Sequence, residues 1–269
     1  MSRRRALGVV FALAAVAAFG CGATGNKRFA FEARAAGAPR TDGAGSGAFT
    51  FDNETGWSIT LRRANVTLGP VYLNVIAPRE SRLESGRVVG EVLGQIAFDA
   101  LSPTEVPFPT RGTITDDEVR TVDLWFYPRA GVAPETTKID TVALDVAGEA
   151  TKGADDVRFR GTLVLDDAWL PAVQPGEPGG QTILAVRQVR GIPADFIPTE
   201  GGHLTLRFDV KACFRGADFA SLAQNPEDPD GTKILVQSKS GKYLTDQVMT
   251  NLYEGMRAQN GTYSVTWTR

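Results

Sequence analysis

From residue 48 onward, apolar residues recur at every second position in short runs broken by Gly, Pro and Asp, and this alternation is the strongest constraint on the fold. A strand sends successive side chains to opposite faces, so period two marks a half-buried strand where a helix needs a period near 3.6. Trp57, Ile59 and Leu61 share one face. After a break at Arg63 and Ala64, the run Val66-Thr67-Leu68 leads through Gly69-Pro70 into VYLNVI (71–76). Further strands are expected at 91–98, 121–127, 137–149, 157–165, 182–189, 203–213, 233–237 and 262–267. About ten strands without alternating helices predict an all-β domain over 48–269, an antiparallel β-sandwich of two sheets packed face to face. The gaps at 77–90, 100–118 and 171–180 hold Pro, Gly and charge, and read as loops at the sandwich ends.

Two short peripheral helices interrupt the strands. One is expected near 217–224. The other covers 245–259, where Val248, Leu252 and Met256 fall on one face at i, i+4 and i+8, before Asn260-Gly261 turns the chain into a last strand. That apolar face is expected to pack on the sandwich.

The first twenty-one residues follow a different logic. Ser2-Arg3-Arg4-Arg5 precedes fourteen small or apolar residues, ALGVVFALAAVAAF (6–19), too few for a permanent membrane span. Residues 1–20 therefore read as an export signal, with Cys21 as the lipidated first residue of the mature chain. Two alternatives stay open. Ala18-Phe19-Gly20 also suits ordinary signal peptidase, which would leave Cys21 unmodified, and Ser2-Arg3-Arg4-x-x-Leu7 resembles a twin-arginine signal. Residues 21–47, rich in Gly and Ala, read as a flexible tether.

Removing the signal strips three arginines and no acids, which shifts the formal charge from −2 to about −5. No basic block is interleaved with aromatic residues, so nucleic acid is not an expected partner. Beyond Cys21 the sole cysteine is Cys213, so packing rather than a disulfide must hold the domain. No later apolar run reaches membrane-spanning length.

The segments GWSITLRRANVTLGPVYL (56–73), VDLWFYP (122–128), LTLRFDVKACFRGADFASL (204–222) and NLYEGMRAQNGTYSVTW (251–267) resemble uncharacterised bacterial lipoproteins with an all-β exported domain. The likeness spans most of 56–267 and its motifs are structural in type. Some proteins of that group carry histidines in the loop after the second strand, which implies metal handling. This chain has IAPRESRLESG (76–86) there, without a histidine.

The residues that carry chemistry are sparse. His203 is the single histidine, so a histidine-rich metal site is excluded and carboxylates or Cys213 would have to complete any ligand set. Cys213 follows an alternating run and reads as a buried, inert thiol. His203 and Cys213 sit ten residues apart on one expected strand, too far for a Cys-His pair. In GAGSG (43–47), Ser46 is off-centre for a nucleophile elbow. In NPEDPDGTK (225–233), Asp228, Asp230 and Gly231 match calcium-loop positions three, five and six, but Pro226 and Gln237 occupy positions one and twelve. Asp155-Asp156 and Asp166-Asp167 are acidic pairs at expected strand ends. Of the four tryptophans, Trp57 and Trp267 are in phase with apolar neighbours and read as core. Trp125 and Trp169 are the better candidates for exposed rings that bind a glycan or a protein.

Together these features predict a non-enzymatic, membrane-tethered lipoprotein of the cell envelope, at the outer membrane, that binds a ligand, an envelope protein or a glycan and needs no cofactor. The alternative is an envelope metal-handling accessory protein or hydrolase drawing on Asp155, Asp166, Asp228, Asp230 and His203.

Overall fold

The structure, a computed structural model, describes residues 26–40, 47–76, 87–126, 142–170, 182–237, 239–240, 243–244 and 246–269. The export signal, Cys21 and the loop expected at 171–180 lie outside the described residues. In chain order the strands are β1 (Arg28–Gly37), β2 (Phe49–Asp52), β3 (Ser58–Leu68), β4 (Val71–Asn74), β5 (Val88–Val92), β6 (Ile96–Asp99), β7 (Val106–Pro107), β8 (Gly112–Thr115) and β9 (Val119–Trp125). They continue with β10 (Leu144–Lys152), β11 (Asp155–Leu163), β12 (Gln188–Phe196), β13 (His203–Phe208), β14 (Lys233–Ile234), β15 (Lys239–Ser240), β16 (Tyr243–Leu244) and β17 (Tyr263–Thr268). Two α-helices, α1 (Ile183–Val186) and α2 (Gln247–Arg257), and 3-10 turns at Asp167–Trp169, Val210–Phe214 and Phe219–Gln224 complete the described elements. Among the described residues no helix is long and apolar enough to cross a membrane.

The chain is mostly β, as the alternation predicts. A nine-stranded sheet has the order β12-β9-β4-β5-β8-β1-β13-β17, with β7 also paired to β1. It curls until it is nearly closed and barrel-like: Phe196 on β12 stacks on Trp267 on β17, ring centroids 5.7 Å apart. A six-stranded sheet has the order β14-β11-β10-β3-β2, with β6 on β3. The sheets are mixed, which corrects the purely antiparallel expectation: β1 pairs with β13 and β11 with β14 in parallel. A hairpin forces neighbours to run antiparallel, but β1 and β13 are joined through most of the chain, so nothing local fixes their relative direction.

The stretch expected as a tether contains β1, which lies between β8 and β13 and corrects that reading for residues 28–37. Its sequence RFAFEARAAG alternates: Phe29, Phe31, Ala33 and Ala35 are buried, while Arg28, Ala30 and Glu32 face solvent. Alanines supply half of the inward face, so the composition looks linker-like although the period is that of a strand.

Other boundaries also differ from expectation: the strand expected at 91–98 is divided between β5 and β6, and the one expected at 233–237 is β14, two residues long. The break near Arg63 is a β-bulge within continuous β3: Ala147 pairs with Arg63 but Gly148 with Leu61, leaving Arg62 as the extra residue. The bulge resets the phase, so Ile59 and Leu61 before it and Ala64, Val66 and Leu68 after it all point inward. The strand expected at 182–189 begins instead as α1, because the Thr182 hydroxyl accepts from the Ala185 N–H and caps a helical turn, and β12 starts only at Gln188. The strand expected at 203–213 stops at Phe208. There Asp209 caps a 3-10 turn by accepting from the Lys211 N–H at 3.0 Å, which places Cys213 on that turn. Within the gaps read as loops, 88–92, 106–107 and 112–115 are β5, β7 and β8.

The helix expected at 245–259 is α2, with Val248, Leu252 and Met256 buried. Buried Asp246 caps it by accepting from Met249 N at 2.9 Å, and its other oxygen accepts from Val236 N and Asn225 Nδ2, tying the 225–236 loop to the helix. The core of the six-stranded sheet is aromatic: Phe159 lies 4.8 Å from Phe219 and 5.9 Å from Phe214, and Trp57 packs on Phe219 at 5.5 Å.

Candidate functional site

The outward face of β1 carries Arg28, Ala30, Glu32 and Arg34, and register sets beside them Thr113 and Thr115 on β8 and His203 and Thr205 on β13. Alternation alone dictates that these polar side chains share one side of the sheet. Three clefts cross this face. One of about 300 Å³ is lined by Arg28, Glu91 and Arg87, one of about 530 Å³ by Arg28, Glu32, Arg34, Arg111 and His203, and one of about 480 Å³ by Glu32, Arg34, Glu105 and Arg111. Shared Arg28, then shared Glu32, Arg34 and Arg111, join them into a groove along β1.

Hydrogen bonds hold most of the groove's charges in place. Arg28 donates to Thr113 Oγ1 at 2.8 Å, and Arg34 bridges Glu32 and Glu105 at 3.2 and 3.3 Å. Glu105 also accepts from Arg207 at 3.0 Å and from the buried Thr205 hydroxyl at 3.3 Å. Glu32 first, and Glu105 after it, raise the Arg34 guanidinium above its ordinary value. Arg111 is exposed and forms no ion pair or hydrogen bond with the described residues. A guanidinium offers up to five N–H donors in a planar fork, so the groove presents fixed donors and acceptors plus one guanidinium unengaged within the described residues.

The residues proposed from sequence do not converge. His203 lines the groove, with Glu32 as its register partner, and is remote in the topology from Asp228 and Asp230 beside β14. Asp228 pairs with Arg160 at 3.1 Å and accepts from Thr232 N, while a hydrogen bond with Asp228, followed by Thr232, lowers the Asp230 carboxyl. Asp166 caps the 3-10 turn at 167–169 and accepts from Gln237 Nε2 at 3.0 Å. Asp155 and Asp156 line a shallow depression with Lys233. Among the described residues no three His, Cys, Asp or Glu side chains come together in a way that could hold a metal. The hydrolase or metal set is thus split: Asp166, Asp228 and Asp230 bond within their own turns, while Asp155 begins β11 and His203 begins β13.

Trp169 is not an exposed ring: it is 6% exposed, stacks on Tyr253 with centroids 4.0 Å apart, and donates from Nε1 to the Val164 carbonyl at 2.9 Å. Trp125 is half-buried at the end of β9, on the face it shares with buried Thr121 and Asp123. Trp57 is core, with Nε1 donating to Asp218 at 2.9 Å, and Trp267 is half-buried at the seam of the nine-stranded sheet. Cys213 is fully buried, and burial pushes its thiol pKa up, as expected of an inert cysteine.

Sequence reasoning missed a second cleft of about 400 Å³, lined by Asp52, Asn53, Glu54, Asp209, Lys211, Ala212 and Arg215. Asn53 builds it: Nδ2 donates to the Phe214 and Ala217 carbonyls, and Oδ1 accepts from Thr55 N, Thr55 Oγ1 and Trp57 N. Burial raises the Asp209 carboxyl, against the opposing pull of Lys211 and Arg215. The only sequence signal was an acidic residue at a strand end, which is too common to single out.

The chain matches no protein-family model, no curated protein and no solved structure.

Proposed function

We propose that this chain is a lipid-anchored cell-envelope protein, non-enzymatic, that binds an extended acidic, hydroxyl-rich chain such as an acidic glycan in the groove along β1. The carrying observation is the continuous groove, whose guanidinium groups are pre-positioned by Glu32, Glu105 and Thr113 while Arg111 forms no bond to the described residues. Guanidinium forks pair with carboxylates in two parallel hydrogen bonds, and neighbouring hydroxyl and carboxylate acceptors suit sugar hydroxyls. The export signal and Cys21 support the envelope location, and Cys21 supplies the anchor. In the same reading, the six-stranded sheet packs as the second layer of a sandwich-like body behind the nine-stranded one.

Calorimetric titration with acidic and neutral oligosaccharides tests the proposal. Binding of the acidic series is expected, weakened about tenfold or more by Arg111→Ala, the loss of one charged hydrogen-bonding group. Absence of binding, or equal affinity for neutral sugars in wild type and variant, overturns it.

One observation favours a second reading, an envelope hydrolase: Asp209 combines a raised pKa with a place in an open cleft. Glycan hydrolysis that is abolished by Asp209→Asn and untouched by Arg111→Ala would establish it in place of the binding module.

A further inference from the structure

Five large apolar side chains are exposed among the described residues, and three of them, Ile76 (38%), Val88 (51%) and Ile197 (62%), gather on one rim of the nine-stranded sheet. The pairing register places them there. Arg28 at the start of β1 pairs with Thr115, and the Thr115 hydroxyl donates to the Val89 carbonyl, next to Val88. Val88 pairs with Asn74, two residues before Ile76, and Asn74 pairs with Thr121 near the start of β9. Val119 in turn pairs with Phe196, next to Ile197. The other two lie away from this rim: Leu93 follows the far end of β5, and Val106 pairs with Ala35, seven positions up β1 from Arg28.

The same rim is where β1 begins. Cys21 and Arg28 are seven positions apart in sequence. Seven residues, fully extended, reach no further than about 25 Å, so an anchor at Cys21 keeps this rim close to the bilayer. Because β1 is an interior strand of the sheet, bonded to β8 on one side and β13 on the other, the anchor joins the middle of the sheet rather than a loose edge. Among the described residues most of the rim's charges are paired, Lys27 with Glu200, Arg87 with Asp117 at 2.9 Å, and Arg120 with Glu118 and Asp195 at 2.6 and 3.1 Å, while exposed Asp116 stands beside Lys27. These described groups sum to a small negative charge, so contact with phospholipid headgroups rests on the anchor and the apolar side chains rather than on charge attraction.

We infer that this rim is the membrane-facing end of the anchored protein, with Ile76, Val88 and Ile197 resting at the headgroup layer of a phospholipid bilayer and the groove along β1 running from that rim, where Arg28, Arg87 and Val88 line its first cleft, toward the far end of the strand. Single exposed apolar residues are ordinary on a protein surface. Here three share one rim with the start of the strand that leads from the anchor. The inference rests on the reading of Cys21 as lipidated.

The full chain, recovered from bacterial membranes and reconstituted in vesicles of phosphatidylethanolamine and phosphatidylglycerol, tests both. Intact mass reports the diacylglyceryl group on a chain beginning at Cys21. Val88→Cys, Ile197→Cys and Leu93→Cys, all at exposed positions, are each labelled with a fluorophore, while fully buried Cys213 stays unlabelled in the folded protein. Lipids carrying a headgroup nitroxide are expected to quench the probes at 88 and 197 strongly and to spare the probe at 93. An acylated chain with equal quenching at all three positions, or stronger quenching at 93, overturns the orientation while keeping the anchor. A chain without the acyl mass overturns the anchor and the orientation together.

Discussion

The two main sheets solve the same burial problem with different partners for their rings. The six-stranded sheet is filled by large rings, with Trp57, Phe159, Phe214 and Phe219 in mutual contact and the Asn53 network fastening the β2–β3 turn to the backbone at 214 and 217. The nine-stranded sheet also carries rings, Phe31 and Phe196 packing on Trp267 at 5.2 and 5.7 Å, but seats them beside small residues: Ala33, Ala35 and Ala36 are buried on β1, and Gly112 leaves room for the Phe31 ring. Rings fill volume and tolerate few vacancies, whereas close backbone approach depends on the absence of a side chain. The first sheet should therefore be the more sensitive to truncation, while added atoms are refused in both, at Gly112 against the Phe31 ring and at Gly148 against the Thr60 carbonyl.

Substitutions can break that contrast. Phe159→Ala removes the ring that touches both Phe214 and Phe219, and a loss of about 3–5 kcal/mol in urea denaturation is expected. Asn53→Ala leaves two carbonyls and three donors of the turn to find new partners and is expected to cost about 3 kcal/mol by the same measurement. Gly112→Ala in the nine-stranded sheet places a methyl group against the Phe31 ring and is expected to cost about 2 kcal/mol. If Phe159→Ala costs no more than Gly112→Ala, the contrast between the sheets fails.

A smaller effect sharpens the picture through pH. Burial raises the folded-state pKa of Asp209 above its unfolded value. Its relative stabilisation is therefore full below the unfolded pKa and is lost as pH rises through the folded one. Asp209→Asn keeps an oxygen to cap the 3-10 turn and removes the charge, so its melting temperature should exceed the wild type's near neutrality and converge with it at about pH 4 or below. An equal shift at every pH would mean that the carboxylate is not penalised by burial. Least of all, Arg63→Ala removes a partly exposed pair with Asp145 beside the bulge and should change stability by no more than about 0.5 kcal/mol.

Much of this fold is legible residue by residue. The inward faces of β11 and of β3 on either side of its bulge follow the alternation, whereas β9 is buried on both faces from Thr121 to Leu124, and α2 follows the spacing of Val248, Leu252 and Met256. β1 escaped because alanine does not weigh as apolar in a Gly/Ala-rich stretch, although Phe29 and Phe31 at i and i+2 carried the period. Thr182 and Asp209 each end an apparent strand by capping a turn, a competition between side chain and backbone that alternation cannot register. Trp169 looked like a loop ring because its partner, Tyr253, lies in another element far along the chain.

The sequence by itself determined which faces of most strands are apolar, which face of the second helix is buried, and that one histidine and one cysteine after Cys21 leave little for a metal site. Tertiary structure alone decided that β1 lies parallel to β13, that β12 meets β17, and that Arg28, Arg34 and Arg111 share a groove while Asp209 sits in a cleft with Asp52 and Glu54. The physical reason is range. Period and capping are set by neighbours a few residues away, whereas each of these arrangements joins segments many tens of residues apart, through hydrogen bonds and ring contacts that no local pattern specifies.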